Sequence, residues 1–141
     1  MKATGLMIGD WVNYSILNLN AKVFSTLGNH TIGIQFVDNN NKVEAIHGLL
    51  EETINPIPLT EEILVKNGFE KRIHTSLSNN EDYRYYQWNP TPEYPDEGVW
   101  LWPNGDSYTY NSRISDIKIN SVHQLQHLLR LCGVEKELVI D

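Results

Sequence analysis

Pro56-Ile57-Pro58-Leu59-Thr60-Glu61-Glu62-Ile63-Leu64 divides the chain into two parts of different character. Proline fixes φ and donates no backbone hydrogen bond, so Pro56 and Pro58 end any strand pattern arriving from the N-terminal side. Thr60 then offers an oxygen as N-cap, Glu61 and Glu62 suit the positive end of a helix dipole, and Ile63 and Leu64 give the helix an apolar side. Asn67-Gly68 stops it, because glycine takes the left-handed conformation without steric cost, and Phe69 is expected to fold back onto the last turn.

Working outward from this connector, the N-terminal part reads as short strands separated by turn signals. Trp11-Val12-Asn13-Tyr14, Lys22-Val23-Phe24, Thr31 to Val37 and Val43-Glu44-Ala45-Ile46 carry the strand-forming residues. Ile32, Ile34 and Phe36 share one face, since side chains alternate along a strand. Gly28-Asn29-His30 and Asp38-Asn39-Asn40-Asn41 are turns. Strands this short and closely spaced predict a small β-barrel-like, SH3-like part over residues 1–57.

Beyond the connector, residues 70–120 read as β again. Arg72 to Thr75 and Tyr83 to Trp88 flank the turn Ser78-Asn79-Asn80-Glu81-Asp82. Trp100-Leu101-Trp102 and Tyr108-Thr109-Tyr110 flank Pro103-Asn104-Gly105, read as a three-residue loop. That loop pairs Trp100 with Tyr108, which predicts Trp100, Trp102, Tyr108 and Tyr110 on one sheet face. A helix over 121–132 follows, opened by the capping box Ser121-Val122-His123-Gln124 and stopped by Gly133. Val122, Leu125, Leu128, Leu129 and Cys132 fall on its apolar side, opposite His123, Gln126, His127 and Arg130. Val134 to Ile140 reads as a terminal strand. The expectation is a single α+β domain over 1–141, with antiparallel β-hairpins and one C-terminal amphipathic helix in residues 58–141.

The chain has 141 residues, enough for one core. Its 18 acidic and 11 basic side chains leave a net charge of −7, which argues against duplex nucleic acid or an anionic membrane as partner. The one cysteine, Cys132, allows no intrachain disulfide. The apolar stretch near Met1 is too short for a signal peptide, and no run approaches the ~20 apolar residues of a membrane helix. The expected setting is the cytoplasm.

Three segments carry a resemblance: Pro56 to Leu64 with Asn67-Gly68-Phe69, Val122 to Leu129, and Ile8-Gly9-Asp10-Trp11-Val12. Together they resemble an uncharacterised family of small proteins of Bacteroides-type phages and prophages. The resemblance touches both ends and the middle of the chain and misses residues 83–110. It implies a mobile-element accessory protein, and it brings no catalytic residues with it.

For chemistry, His123 and His127 have the i, i+4 spacing of metal ligands. The zinc-protease pattern needs a glutamate beside the first histidine, and Gln124 stands there instead. With no evident third ligand, the reading assigns no catalytic residue, no metal and no cofactor. The more unusual feature is aromatic: nine of the 14 aromatic residues lie between Tyr83 and Tyr110, all Trp or Tyr. Such rings pair a large apolar face with a polar handle, which suits interfaces and stacked ligands. The candidate binding residues are therefore Arg84, Tyr86, Trp88, Trp100, Trp102, Tyr108, Tyr110 and Arg113, with the polar stripe His123, His127 and Arg130 beside them. The function expected is non-enzymatic binding, as an anti-defence protein that sequesters a nucleotide signal or blocks a host or viral protein. The alternatives are a metal-dependent hydrolase using His123 and His127, and an assembly factor that forms a homo-oligomer.

Overall fold

The computed structural model describes residues 5–27, 31–91, 93–94, 98–111 and 115–140. Over these the chain is α+β, with two five-stranded antiparallel sheets and little helix. It divides into two compact units, Met1–Pro58 with Ser121–Gln126, and Leu59–Asn120 with His127–Asp141.

In the first unit the strands are β1 (Trp11–Tyr14), β2 (Leu19–Leu27), β3 (Thr31–Val37), β4 (Val43–Leu50) and β5 (Ile54–Asn55). Their order in the sheet is β4-β3-β2-β1-β5. This is an open sheet rather than the expected barrel-like closure, because β5 is two residues long and pairs only with β1, leaving β4 and β5 as edges. Alternation works as the sequence implies: Val12, Tyr14, Ala21, Val23, Ile32, Ile34 and Ile54 form the core, with Leu6 and the partly buried Phe36 against them. The Asp38 carboxylate holds the β3–β4 turn by accepting from the N–H groups of Asn40 at 2.8 Å and Lys42 at 2.9 Å.

Gln126 departs from its expected place on the polar side of the C-terminal helix. It is buried, its Nε2 donates to the Gly9 carbonyl at 3.0 Å, and its Oε1 accepts from the Trp11 N–H at 2.9 Å. A glutamine amide carries the same donor and acceptor as a peptide group, so one side chain pairs with the start of β1 as a neighbouring strand would.

The second unit begins with α1 (Glu61–Lys66), whose cap is as expected: Thr60 Oγ1 accepts from the Ile63 N–H at 3.2 Å. The Phe69 N–H returns to the Leu64 carbonyl at 3.0 Å, and Phe69 is buried. Next come β6 (Glu70–Thr75), β7 (Asp82–Trp88), β8 (Val99–Asn104), β9 (Ser107–Asn111) and β10 (Asp116–Ile119), in the sheet order β10-β9-β8-β7-β6. α2 (Val122–Leu131) follows, its residues to Gln126 belonging to the first unit and the rest to the second; Val122, Leu125, Leu128 and Leu129 are buried as its periodicity predicts. Cys132 is exposed, a correction to its expected place in the core. The helix has ended by then, and the Val134 N–H turns back to the Leu129 carbonyl at 2.8 Å.

The expected strand from Val134 to Ile140 does not form. The buried Asn67 amide takes both polar groups of the Val139 backbone at 2.7 Å, and its Nδ2 also donates to the Ile63 carbonyl at 2.8 Å. One side chain thus satisfies a tail that has no strand beside it.

Candidate functional site

The β8–β9 turn decides which rings share a face. Asn104 pairs with Ser107, so the loop is the two residues Gly105 and Asp106, with Gly105 at φ 63°. A two-residue loop with glycine first suits the twist of a hairpin. The pairing is then Trp102 with Thr109 and Pro103 with Tyr108, three residues away from the expected register. A slip by an odd number of residues turns every side chain of a strand to the other face. Tyr108 and Tyr110 therefore lie opposite Trp100 and Trp102, contrary to the expectation of one shared face.

Register with the remaining strands completes the two faces. Gln87 pairs with Trp100 and Tyr86 with Leu101, while Arg72 pairs with Tyr85 and His74 with Tyr83. The core face carries Tyr86, Val99, Leu101 and Ile119, all buried. The other face carries Tyr83, Tyr85, Trp100 and Trp102, with Arg72 and His74 alongside. On it the Tyr85 ring is stacked on Trp100, with centroids 4.8 Å apart and planes at 20°, and lies 4.9 Å from Trp102. His74 meets Trp102 edge-on at 6.2 Å. Tyr85, Trp100 and Trp102 are each half-buried. The Trp100 indole N–H is buried with no hydrogen-bond partner among the described residues, an arrangement that costs about 1–3 kcal/mol. A cleft of about 350 Å³ flanks the trio, lined by Gly98, Trp100, Trp102, Tyr110 and Asn111.

Arg84 falls on the core-face side, away from the trio, with Tyr86 and Tyr108. There Glu61 accepts from Lys71 Nζ at 3.0 Å, a bond that holds its carboxyl below the usual range. Tyr86 and Tyr108 meet edge-on at 5.8 Å. Burial, followed by the nearby Glu61 charge, raises both phenol pKa values, so both are neutral donors at ordinary pH. Trp88, half-buried, lines a second cleft of about 440 Å³ with Thr91, Val99, Cys132 and Lys136. The Cys132 sulfur lies 3.7 Å from the Tyr110 hydroxyl, and holding of the phenol proton toward that sulfur, followed by burial, raises the Tyr110 pKa.

Arg113 lies outside the described residues. His123 is half-buried with Nδ1 3.1 Å from the Ser121 hydroxyl; His127 is half-buried and Arg130 exposed. Among the described residues no group of three His, Cys, Asp or Glu side chains is placed to hold a metal, and no helix is long and apolar enough to cross a membrane. The residues that sequence reasoning missed are Tyr85, Arg72 and His74. Their signal was the pairing of β6 with β7, which brings one Arg and one His onto the side of the odd-numbered tyrosines. Compared with protein families, with curated proteins and with solved structures, the chain finds no match.

Proposed function

We propose that the protein acts by binding, without catalysis, through the sheet face centred on Tyr85, Trp100 and Trp102. The observation that carries this is the stacked trio, held half-exposed on the side of the sheet opposite Leu101. Rings fixed by one another lose little freedom when a partner covers them, and Trp and Tyr are the residues that most often anchor an interface. The resemblance to phage and prophage proteins supports an accessory role in a bacterial cytoplasm, where the partner is a host defence protein or a nucleotide signal. We read the first unit as an SH3-like scaffold in strand number and in the return of β5 to β1.

The test is to make Tyr85→Ala and Trp102→Ala, confirm folding by circular dichroism, and measure binding by calorimetry. The titrants are a panel of linear and cyclic nucleotides and any protein retained on the immobilised chain. Loss of at least about tenfold in affinity for either variant is expected of hot-spot positions. Parent-like binding by both folded variants would place the site elsewhere, with the Trp88 cleft as the next candidate.

A further inference from the structure

The β6–β7 hairpin extends beyond the rest of its sheet. β8 pairs with β7 only over Tyr86–Trp88, whereas the pairing of β6 and β7 continues to Thr75 with Asp82. Every residue of β6, and Asp82 to Arg84 of β7, is exposed. Ribbons of two strands with neither face covered are marginal in water. This one is tied together at its end. The Ser76 N–H donates to the Glu81 carbonyl at 2.9 Å, and the Asn80 N–H to the Ser76 carbonyl at 2.9 Å. The Thr75 hydroxyl donates to Asp82 at 2.6 Å, and the Tyr83 hydroxyl accepts from Asn79 Nδ2 at 3.0 Å while donating to Glu81 at 3.1 Å.

At the tip of this braced loop stands Leu77, 99% exposed. Tips are ordinarily built from Gly, Asn, Asp and Ser, and Leu77 contributes nothing to the folding of its own loop. A leucine displayed on a pre-formed loop has the features of an anchor, because the cost of ordering that loop is met before any encounter. The surroundings indicate what it fits. From His74 to Asp82 the only ionisable side chains are His74, Glu81 and Asp82, so the tip is acidic and carries no Lys or Arg. A phosphate-bearing ligand is repelled there, and Arg72 on the aromatic face is already held by Glu70 at 2.8 Å. The aromatic face continues along the same ribbon, from Trp102 through His74 and Tyr83 toward the tip.

We infer that the β6–β7 hairpin is an insertion arm that seats Leu77 in an apolar pocket, ringed by basic side chains, on a partner protein. This rests on the binding role proposed above and selects a protein over a nucleotide as the partner.

The experiment uses the full chain carrying photoreactive benzoylphenylalanine at position 77, or at position 102 as comparison, irradiated in bacterial cells. The cross-linked protein is identified by mass spectrometry, purified, and titrated calorimetrically against the parent, Leu77→Ser, Glu81→Lys and Trp102→Ala. The expected result is one partner captured from both positions, bound about tenfold or more weakly by Leu77→Ser, whose circular dichroism matches the parent. Glu81→Lys weakens binding as well, most at low salt, as expected for a charge at the rim of an interface. If Trp102→Ala loses binding while Leu77→Ser keeps it, the arm is refuted and the aromatic face stands. If neither matters, both readings fall. Capture of only a second copy of this chain, or of nothing from position 77 alone, also overturns the arm, and nucleotide binding abolished by Trp102→Ala overturns the choice of a protein.

Discussion

Replacing Gln126 tests the least expected joint in the structure. Gln126→Ala removes two hydrogen bonds, at 2.9 Å to the Trp11 N–H and at 3.0 Å to the Gly9 carbonyl. Each contributes about 1 kcal/mol net, and a backbone group left buried without a partner costs a further 1–3 kcal/mol. Water reaches part of this joint, since Trp11 is only half-buried, and alanine is a slightly better helix former than glutamine. The sum is a loss of about 2–3 kcal/mol, a fall in Tm on the order of 5–10 °C in calorimetry. Gln126→Glu sharpens the test. It keeps an acceptor for Trp11, but an ionised carboxylate at this point faces the Gly9 carbonyl with no proton to donate. The folded state therefore favours the protonated acid and raises its pKa above the unfolded value of about 4.3. With that sign the variant is most stable below about pH 4.3 relative to the parent, and loses stability as pH rises through the raised folded pKa. Arg130→Ala, at an exposed position of the same helix, is the comparison and should stay within about 0.5 kcal/mol of the parent. If Gln126→Ala melts with the parent, or if Gln126→Glu shows no pH dependence of its own, the joint is not as described.

Leu129, 1% exposed, should cost about 2–5 kcal/mol as Leu129→Ala by denaturant unfolding, whereas Leu131→Ala at 81% exposure should be nearly silent. Tyr86, Tyr108 and Tyr110 all have raised pKa values, so absorbance at alkaline pH should show some tyrosines ionising late in the folded protein and together once it is unfolded. Their stabilising contribution is complete below about pH 10 and is lost as pH rises through the folded values; a single unshifted transition in the native protein contradicts the burial assigned to them. Gly98→Ala should disrupt the approach of β8 to β7, since a Cβ there runs into the Trp88 carbonyl oxygen at a φ of 101°. A parent-like melting curve for that variant would show the backbone is not held so closely.

The local signals were the readable ones. Thr60 and Gly68 delimit α1, and the Val122–Leu129 spacing fixes the buried side of α2, because a cap or a stripe depends only on residues a turn away. The alternation of Ile32, Ile34 and Phe36 was equally direct. What could not be read depends on distant partners. On a helical projection Gln126 falls on the solvent-facing side, and nothing near it in sequence announces a pairing 115 residues away. Asn67 reads as a helix stop, which it is, while its amide also takes the place of a strand beside Val139. The terminal segment has strand composition, but composition does not supply a neighbour, and side-chain amides met that need in both units.

Composition points to the aromatic strands, and the hairpin register expected for them is off by three residues. Pro103-Asn104-Gly105-Asp106 accommodates either a three-residue loop or a two-residue loop beginning at Gly105, and local preference does not separate them. The choice matters because it sorts the aromatic residues. With Asn104 opposite Ser107, Tyr86 and Tyr108 turn inward with Leu101, Arg84 goes with them, and Trp100 and Trp102 turn outward with Tyr85 and Arg72. Hydrophobic area alone favours the reverse, since a tryptophan buries more apolar surface than a leucine or a valine. The sheet nevertheless buries Val99 and Leu101 and leaves two tryptophans half-exposed, one of them with an indole N–H that has no partner among the described residues. A face built for stability alone gains nothing from that arrangement. The rings are stacked on one another rather than spread singly, so each limits the movement of its neighbours. That combination, together with a braced arm continuing from the same face, is the observation on which the proposed binding role rests.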